Sequence, residues 1–199
     1  MAGDETDAAD AEIQGLQKRI GELREELAAA RRRRPPEPVA DYALTAWDGS
    51  AVRLSELFGT KRDLVVVHNM GARCPMCTLW ADGLNGVRAH LEDRMAFAVS
   101  TPDTPDVQRA FAESRGWTFR MLSTRGTTFA KDLGFEGERD GEPFPWPGLS
   151  VFRRREDGGI ERVASDGFGP GDDYCAMWSV MSLLPDGQGD WWPRLSYAR

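Results

Sequence analysis

The chain has 199 residues, a formal net charge of −7 and only three cysteines. The acidic balance argues against non-specific binding to nucleic acid or to an anionic membrane, and three cysteines are too few for a disulfide-rich scaffold. Hydrophobic residues make up 41% of the chain, which is enough for a folded core. The chain begins with acidic residues, whereas a secretory signal begins with basic residues and an apolar run. We therefore expect a cytoplasmic protein with reduced thiols.

The first part of the chain is predicted to be a helical arm. Residues 1–10 are expected to be disordered, because they are acidic and have little to bury. Residues 11–38 then read as an amphipathic helix and a linker rich in arginine and proline. Five apolar residues are spaced by three and four positions, as in a coiled coil: Ile13, Leu16, Ile20, Leu23 and Leu27. The pattern is short, so it allows either a homodimer through residues 11–34 or a helix packed on its own domain.

The orientation of such a dimer is left open by the charges of the helix. In a parallel dimer, Arg19 would face Arg24 of the other chain, which is repulsive. Antiparallel or domain-swapped packing of the two helices is therefore as well supported as parallel packing. The arginine run at 31–34 suits the carboxyl end of a helix, where cations complement the helix dipole.

Residues 39–185 are predicted to form one α/β domain. Two apolar runs indicate buried strands, and N-cap, proline and glycine signals mark the helices. The elements in chain order are a strand at 41–47, a strand at 64–68, a helix at 75–91, a strand at 95–100, a helix at 104–116, an extended segment at 117–122, a short helix at 127–133, a hairpin of strands 149–153 and 160–164, and a helix from 172 or 173 that ends before 185. Alternating strands and helices indicate a central mixed sheet flanked by helices. Residues 186–199 are expected to be a C-terminal tail.

The strongest chemical signal is the motif Cys74-Pro75-Met76-Cys77, which follows a strand and opens a helix. A cysteine at a helix N-terminus lies near unpaired amides and the positive end of the helix dipole, which stabilise a thiolate. Cys77 lies one turn later, where it can form a disulfide with Cys74. The motif therefore indicates a redox-active dithiol.

Two other interpretations of the pair remain open. A zinc site would need two further ligands, for which His68, His90 and Cys175 are the candidates, and no second C-x-x-C or H-x-x-H motif is present. A pair of buried structural cysteines is the other alternative. No metal or other cofactor is expected.

The sequence resembles the thioredoxin-like superfamily. DLVVVHNMGARCPMC resembles its strand followed by C-x-x-C, and DYALTAWDGSAVRLSELFGTKRDLVVV resembles the lead-in of the peroxiredoxin and resa-like branch. The N-terminal helix, CPMCTLWADGLNG and GLSVF resemble more closely a bacterial thioredoxin-like family of unknown function. The resemblance implies a thioredoxin-like fold with an N-terminal helical arm.

The resemblance also implies roles for single residues. Cys74 matches the nucleophilic cysteine of dithiol enzymes, and Cys77 matches the resolving one. Pro147 matches the proline that is cis in the superfamily, so Trp146–Pro147 is predicted to be cis and, with Arg73, to border the substrate. His68 occupies the strand position of a buried acid that assists proton transfer, although a buried structural histidine is the competing interpretation.

The chain departs from two of these patterns. Peroxiredoxins carry a proline and a threonine or serine before their peroxidatic cysteine, where this chain has Val67 and Gly71. Thioredoxin has a tryptophan where this chain has Arg73. The sequence therefore favours a thiol–disulfide oxidoreductase that acts on an oxidised thiol or disulfide and is reset by a cellular reductant. The alternatives are a non-catalytic binding or assembly module and a peroxide reductase.

Overall fold

The computed structural model describes residues 2–198, with side chains from residue 6 onward. The chain divides into two compact units, and the boundary falls between Pro36 and Glu37. The first unit contains one helix, α1 (Ala2–Arg33). This helix begins well before the apolar repeat, so residues 2–10 are helical where disorder was predicted. Alanine has a high helix propensity and acidic residues are favourable in the first turns of a helix, which explains the longer helix.

The second unit is an α/β domain. Its strands are β1 (Glu37–Val39), β2 (Ala43–Ala46), β3 (Ala51–Arg53), β4 (Asp63–His68), β5 (Ala96–Thr101), β6 (Arg120–Ser123), β7 (Glu136–Arg139), β8 (Glu142–Pro145), β9 (Gly148–Arg154) and β10 (Ile160–Gly167). Its helices are α2 (Leu54–Leu57), α3 (Pro75–Gly86), α4 (Arg88–Arg94), α5 (Pro105–Arg115), α6 (Phe129–Asp132) and α7 (Ala176–Met181). Among the described residues, no helix combines the length and the apolar character needed to cross a bilayer.

Eight of the strands form one mixed sheet in the order β1-β10-β9-β4-β5-β6-β2-β3. Strands β4, β5 and β6 are parallel, and β9 runs antiparallel to β4, with Gly148 paired to His68. The carboxyl end of β4 and the first residue of β9 therefore lie at the same edge of the sheet. This architecture confirms the predicted mixed sheet with flanking helices.

The two faces of the sheet carry separate hydrophobic cores. Successive side chains of a strand point to opposite faces, and β4 contributes Leu64 and Val66 to the first core but Val65 and Val67 to the second. Helices α2 and α6 contribute to the first core, and α3 and α5 contribute to the second. A third core joins α3 to the C-terminal segment through Trp80, Cys175, Trp178 and Met181.

Several elements differ from the predicted ones. The helix predicted at 75–91 is two helices, because the backbone of Val87 departs from helical geometry at φ −108° and ψ 9°. The hairpin of β7 and β8 was not predicted, since its strands are rich in Glu, Gly and Pro and are largely exposed. Its turn is Asp140-Gly141, where both residues have positive φ, as a two-residue hairpin turn requires.

Candidate functional site

The cysteine pair lies where β4 leads into α3. Cys74 is the N-cap of α3, with an extended backbone, and Pro75 is the first helical residue. The backbone N–H of Cys77 donates a hydrogen bond to Cys74 Sγ at 3.1 Å. The sulfur thus fills the role that a serine or aspartate oxygen usually has at this position, and it satisfies an amide that would otherwise lack a partner. Both cysteines are free thiols, Cys74 half-buried and Cys77 buried.

The two thiols differ in acidity. The hydrogen bond from the Cys77 thiol lowers the pKa of Cys74 to about 7, burial opposes this, and the amides of Cys77 and Met76 add to the lowering. The same hydrogen bond raises the pKa of Cys77, and its burial raises it further. Cys74 is therefore the thiolate near neutral pH, and Cys77 keeps its proton. The pair has the asymmetry that nucleophilic attack and later resolution require.

Asn69 and Met70, which lie between β4 and the motif, both contact Cys77. The backbone N–H of Met70 donates to Cys77 Sγ at 3.5 Å, and the Asn69 side-chain amide donates to the Cys77 carbonyl at 3.4 Å. Met70 also brings its thioether sulfur to 4.0 Å from Cys74 Sγ. Neither residue is predicted from the sequence, although their position between the strand and the motif is a signal that they lie beside the pair.

Asp103 fixes the loop that leads to Cys74. Its Oδ2 accepts a hydrogen bond from the Ala72 amide at 2.8 Å, and Gly71 has φ +104°. A Cβ on Gly71 would lie 2.7 Å from the same oxygen, so only glycine fits this close approach. The Gly71 carbonyl in turn accepts the Cys74 amide at 3.1 Å. A residue on the loop after β5 therefore sets the path of the chain into the motif.

His68 is close in sequence to the pair but faces the other side of the sheet. It is buried, its ring stacks on Phe135 with centroids 3.9 Å apart, and its Nε2 lies 3.0 Å from Ser150 Oγ. Desolvation lowers its pKa to about 3, with a smaller contribution from the charge of Arg162. The ring lies with the first core, whereas α3 packs on the second. The contacts of the His68 ring therefore favour the competing interpretation of a buried structural histidine over proton transfer at Cys77.

The other predicted substrate-binding residues lie on two separate stretches of the chain, one before α3 and one between β8 and β9. Arg73 is exposed directly before Cys74. Trp146 is 47% exposed and packs edge-on against Phe144, and Pro147 precedes Gly148, the partner of His68. None of the described peptide bonds is cis, so the prediction of a cis Trp146–Pro147 bond is corrected to trans. The trans form is the ordinary preference even before proline, and the chain here continues from β8 into β9.

The C-terminal segment covers the outer side of α3. Trp80 donates a hydrogen bond through Nε1 to Asp172 Oδ1 at 3.2 Å, and Met76 of the motif packs against the third core. Cys175 belongs to this core, where burial raises the pKa of its thiol. His90 is exposed on α4. Among the side chains that the structure describes, from residue 6 to residue 198, no group of three or more His, Cys, Asp or Glu is arranged to hold a metal ion.

Fold and site together define a protein with a thioredoxin-like α/β fold and a C-x-x-C dithiol at the start of a helix. The chain belongs to a bacterial family described as "Bacterial protein of unknown function (DUF899)", whose model matches residues 6–197. This confirms the resemblance found in the sequence. Among curated proteins, none matches the chain.

Solved structures with the same fold include peroxiredoxins. The peroxidoxin BcpB from Mycobacterium tuberculosis is 25% identical, with a TM-score of 0.53 over 63% of this chain and 80% of that one. A cysteine-to-serine mutant of PrxQ from Xylella fastidiosa is 14% identical, with a TM-score of 0.58 over 69% of this chain and 89% of that one. A hypothetical protein from Sinorhizobium meliloti is 19% identical, with a TM-score of 0.51 over 69% of this chain and 74% of that one.

Proposed function

We propose that the protein is a thiol–disulfide oxidoreductase that uses Cys74 and Cys77. The observation that carries this proposal is the hydrogen-bonded pair, in which the Cys77 amide and thiol both stabilise negative charge on Cys74 Sγ. A purely structural cysteine pair does not need this asymmetry. The half-buried position of Cys74, against the burial of Cys77, supports Cys74 as the residue that attacks first.

The reaction consists of two exchanges. The Cys74 thiolate attacks one sulfur of a substrate disulfide, so that a mixed disulfide forms and the other substrate sulfur leaves as a thiolate. The Cys77 thiol then loses its proton and attacks Cys74 Sγ, which forms the Cys74–Cys77 disulfide and releases the second substrate thiol. The substrate is reduced by two electrons and the protein is oxidised by two. A cellular dithiol or glutathione restores the pair by the reverse exchanges.

The substrate is proposed to approach over Arg73, Trp146 and Pro147. Arg73 is exposed, and half of the Trp146 surface is available to a partner. Pro147 lies at the edge of the sheet from which α3 starts. Arg73 offers a cation directly before the half-buried Cys74, and Trp146 and Pro147 offer an apolar surface where the chain enters β9, which suits an oxidised thiol or a disulfide in an anionic or mixed peptide.

A redox titration against glutathione tests the proposal. The purified protein is equilibrated at a series of glutathione ratios, alkylated and weighed as the intact chain, with Cys175→Ser as the control that leaves only the pair. A reversible two-electron transition is expected. A Cys77→Ser variant should accumulate a mixed disulfide on Cys74. If no Cys74–Cys77 disulfide forms at any ratio, the proposal fails and the fold is to be treated as a binding module.

Peroxide reduction is the second candidate, favoured by the 25% identity with a peroxidoxin. Cys74 would attack the O–O bond of a hydroperoxide, yielding a sulfenic acid and water or an alcohol, and Cys77 would condense with it to the disulfide and water. The positions before Cys74 weaken this candidate, because Val67 is buried in the second core and Gly71 has no side chain. Reductant-coupled consumption of hydrogen peroxide and of an alkyl hydroperoxide, compared in wild type and Cys74→Ser, decides between the two reactions.

The proposal includes a cytoplasmic location and self-association of the chain. A cytoplasmic location would keep the pair reduced between turnovers. Self-association through residues 11–34 is proposed on the apolar face of α1, where Ile13, Leu16, Ile20, Leu23 and Leu27 are each about half exposed.

A further inference from the structure

Helix α1 presents an apolar stripe that needs a partner. It is one continuous helix of 32 residues, and its five repeat residues are 47–59% exposed. Gly15 and Gly21 lie in its interior, and each glycine lowers helix stability relative to alanine. A long helix with interior glycines and an exposed apolar stripe gains stability when a second helix covers the stripe.

The charged residues beside the stripe alternate in sign. In the heptad that places Ile13, Ile20 and Leu27 at position a, and Leu16 and Leu23 at position d, one flank of the stripe is the set of g positions. These are occupied by Glu12, Arg19, Glu26 and Arg33, all of them exposed. Residues at g meet e positions in a parallel pair of helices, and they meet g positions in an antiparallel pair. The two orientations therefore make different charge contacts.

The charges favour the antiparallel orientation. When Ile20 of one copy lies level with Leu23 of the other, Leu16 lies level with Leu27, and the apolar stripes overlap. The flank then pairs Glu12 with Arg33 and Arg19 with Glu26, each twice by symmetry, and every contact joins opposite charges. The parallel orientation places Arg19 opposite Arg24, and these like charges repel. Its one attractive contact on this flank is Glu26 with Arg31.

We infer that residues 9–34 of two copies of this chain form an antiparallel two-helix coiled coil, in which Arg19 of each copy pairs with Glu26 of the other. The partner is a second copy of the chain, the helices run antiparallel, and Ile20 of one copy lies level with Leu23 of the other. This interface is independent of the dithiol chemistry, because neither Cys74 nor Cys77 contributes to it.

Charge reversal in the full-length chain tests the orientation. Sedimentation equilibrium of the reduced protein gives the dimer dissociation constant. Arg19→Glu turns two attractive contacts of the antiparallel pair into repulsive ones, and it should raise this constant roughly tenfold. Glu26→Arg should do the same. The double variant Arg19→Glu/Glu26→Arg restores opposite charges and should return the constant to near the wild-type value.

The control is Lys18→Glu, which makes the same change in net charge at an exposed position on the outer side of the helix. It should leave the dissociation constant nearly unchanged. A wild-type protein that stays monomeric at the highest soluble concentration overturns the inference. Tighter association of Arg19→Glu overturns the antiparallel orientation, since this is the result that a parallel pair requires. Equal weakening by Lys18→Glu and Arg19→Glu overturns the proposed register.

Discussion

The carboxylate of Asp103 accepts the backbone N–H of Ala72, with 2.8 Å between the nitrogen and Oδ2. The same oxygen lies 3.3 Å from the Thr101 hydroxyl. One side chain thus joins the end of β5 to the loop before Cys74, so the position of Cys74 depends on a residue outside its motif.

Replacing Asp103 should loosen this loop. Asp103→Ala leaves the Ala72 amide without its partner, and we expect it to lower the free energy of unfolding by about 1–2 kcal/mol. Asp103→Asn keeps an acceptor oxygen, so its loss of unfolding free energy should be less than half of the loss in Asp103→Ala. Urea unfolding of the reduced protein measures both. Equal losses in the two variants would mean that the charge of Asp103, rather than its hydrogen bond, is what matters.

Gly71 should tolerate no side chain. Its φ of +104° disfavours other residues, and a Cβ would lie 2.7 Å from Asp103 Oδ2. We expect Gly71→Ala to cost about 1–3 kcal/mol of stability and to slow the reaction of Cys74. Gly83→Ala is the matched control, because this glycine lies inside α3 with open space around it. There alanine should stabilise the protein by about 0.5–1 kcal/mol. A neutral Gly71→Ala would contradict the account of the loop.

Cys74 should react as a thiolate near neutral pH. Its pKa of about 7 predicts an alkylation rate that reaches half of its maximum near pH 7, whereas Cys77, whose pKa is raised, should stay unreactive there. Alkylation with iodoacetamide followed by peptide mass spectrometry separates the two. Cys77→Ala removes the thiol donor and should raise the pKa of Cys74, whereas Cys77→Ser retains a donor and should raise it less. Faster alkylation of Cys77 than of Cys74 would reverse the assigned roles.

His68 should make the protein less stable in acid. Its pKa is about 3 in the folded chain against an ordinary value of 6.5, so the unfolded chain binds a proton more readily between these values. The resulting stability is complete above pH 6.5 and is lost as the pH falls from there toward 3, at up to about 1.4 kcal/mol per pH unit.

The variant His68→Gln should flatten this part of the pH profile of unfolding. Glutamine retains a polar group that can bond to Ser150. Because His68 is uncharged at pH 7, any change in the free energy of unfolding at that pH reports altered packing and not the loss of a titrating group. The control is His90→Gln, at an exposed position on α4, and it should follow the wild-type profile. If His68→Gln loses as much stability between pH 7 and pH 4 as the wild type does, His68 is not the group responsible.

Local signals predicted the centre of the site. The strand before Cys74 is an apolar run, and Pro75 marks the helix start, so β4, the thiol pair and α3 follow from adjacent residues. Local signals also predict α5, since Pro105 is its first residue and Gly116 ends it in a left-handed conformation. In such stretches the local preference and the tertiary fold agree.

Other parts of the site depend on contacts that are distant in sequence. Asp103 and Ala72 are 31 positions apart, and no local pattern links them. The sequence does not show which face of the sheet His68 lies on, because β4 is apolar on both faces. The strand therefore lacks the alternation of apolar and polar residues that indicates side-chain direction. The cis prediction at Pro147 came from resemblance alone. The β7–β8 hairpin did carry a signal, since Asp140-Gly141 is a common two-residue turn.

The third core has a consequence for synthesis of the chain. Trp80 and Met76 lie in the first half of the sequence, whereas Asp172, Cys175 and Trp178 that cover them come near its end. Ribosomes add about 5–20 residues per second, so α3 emerges seconds before the segment that covers its outer side. Strand β4 also lacks its partner β9 during this interval. The nascent chain therefore exposes the apolar outer side of α3 and an unpaired side of β4 during that interval.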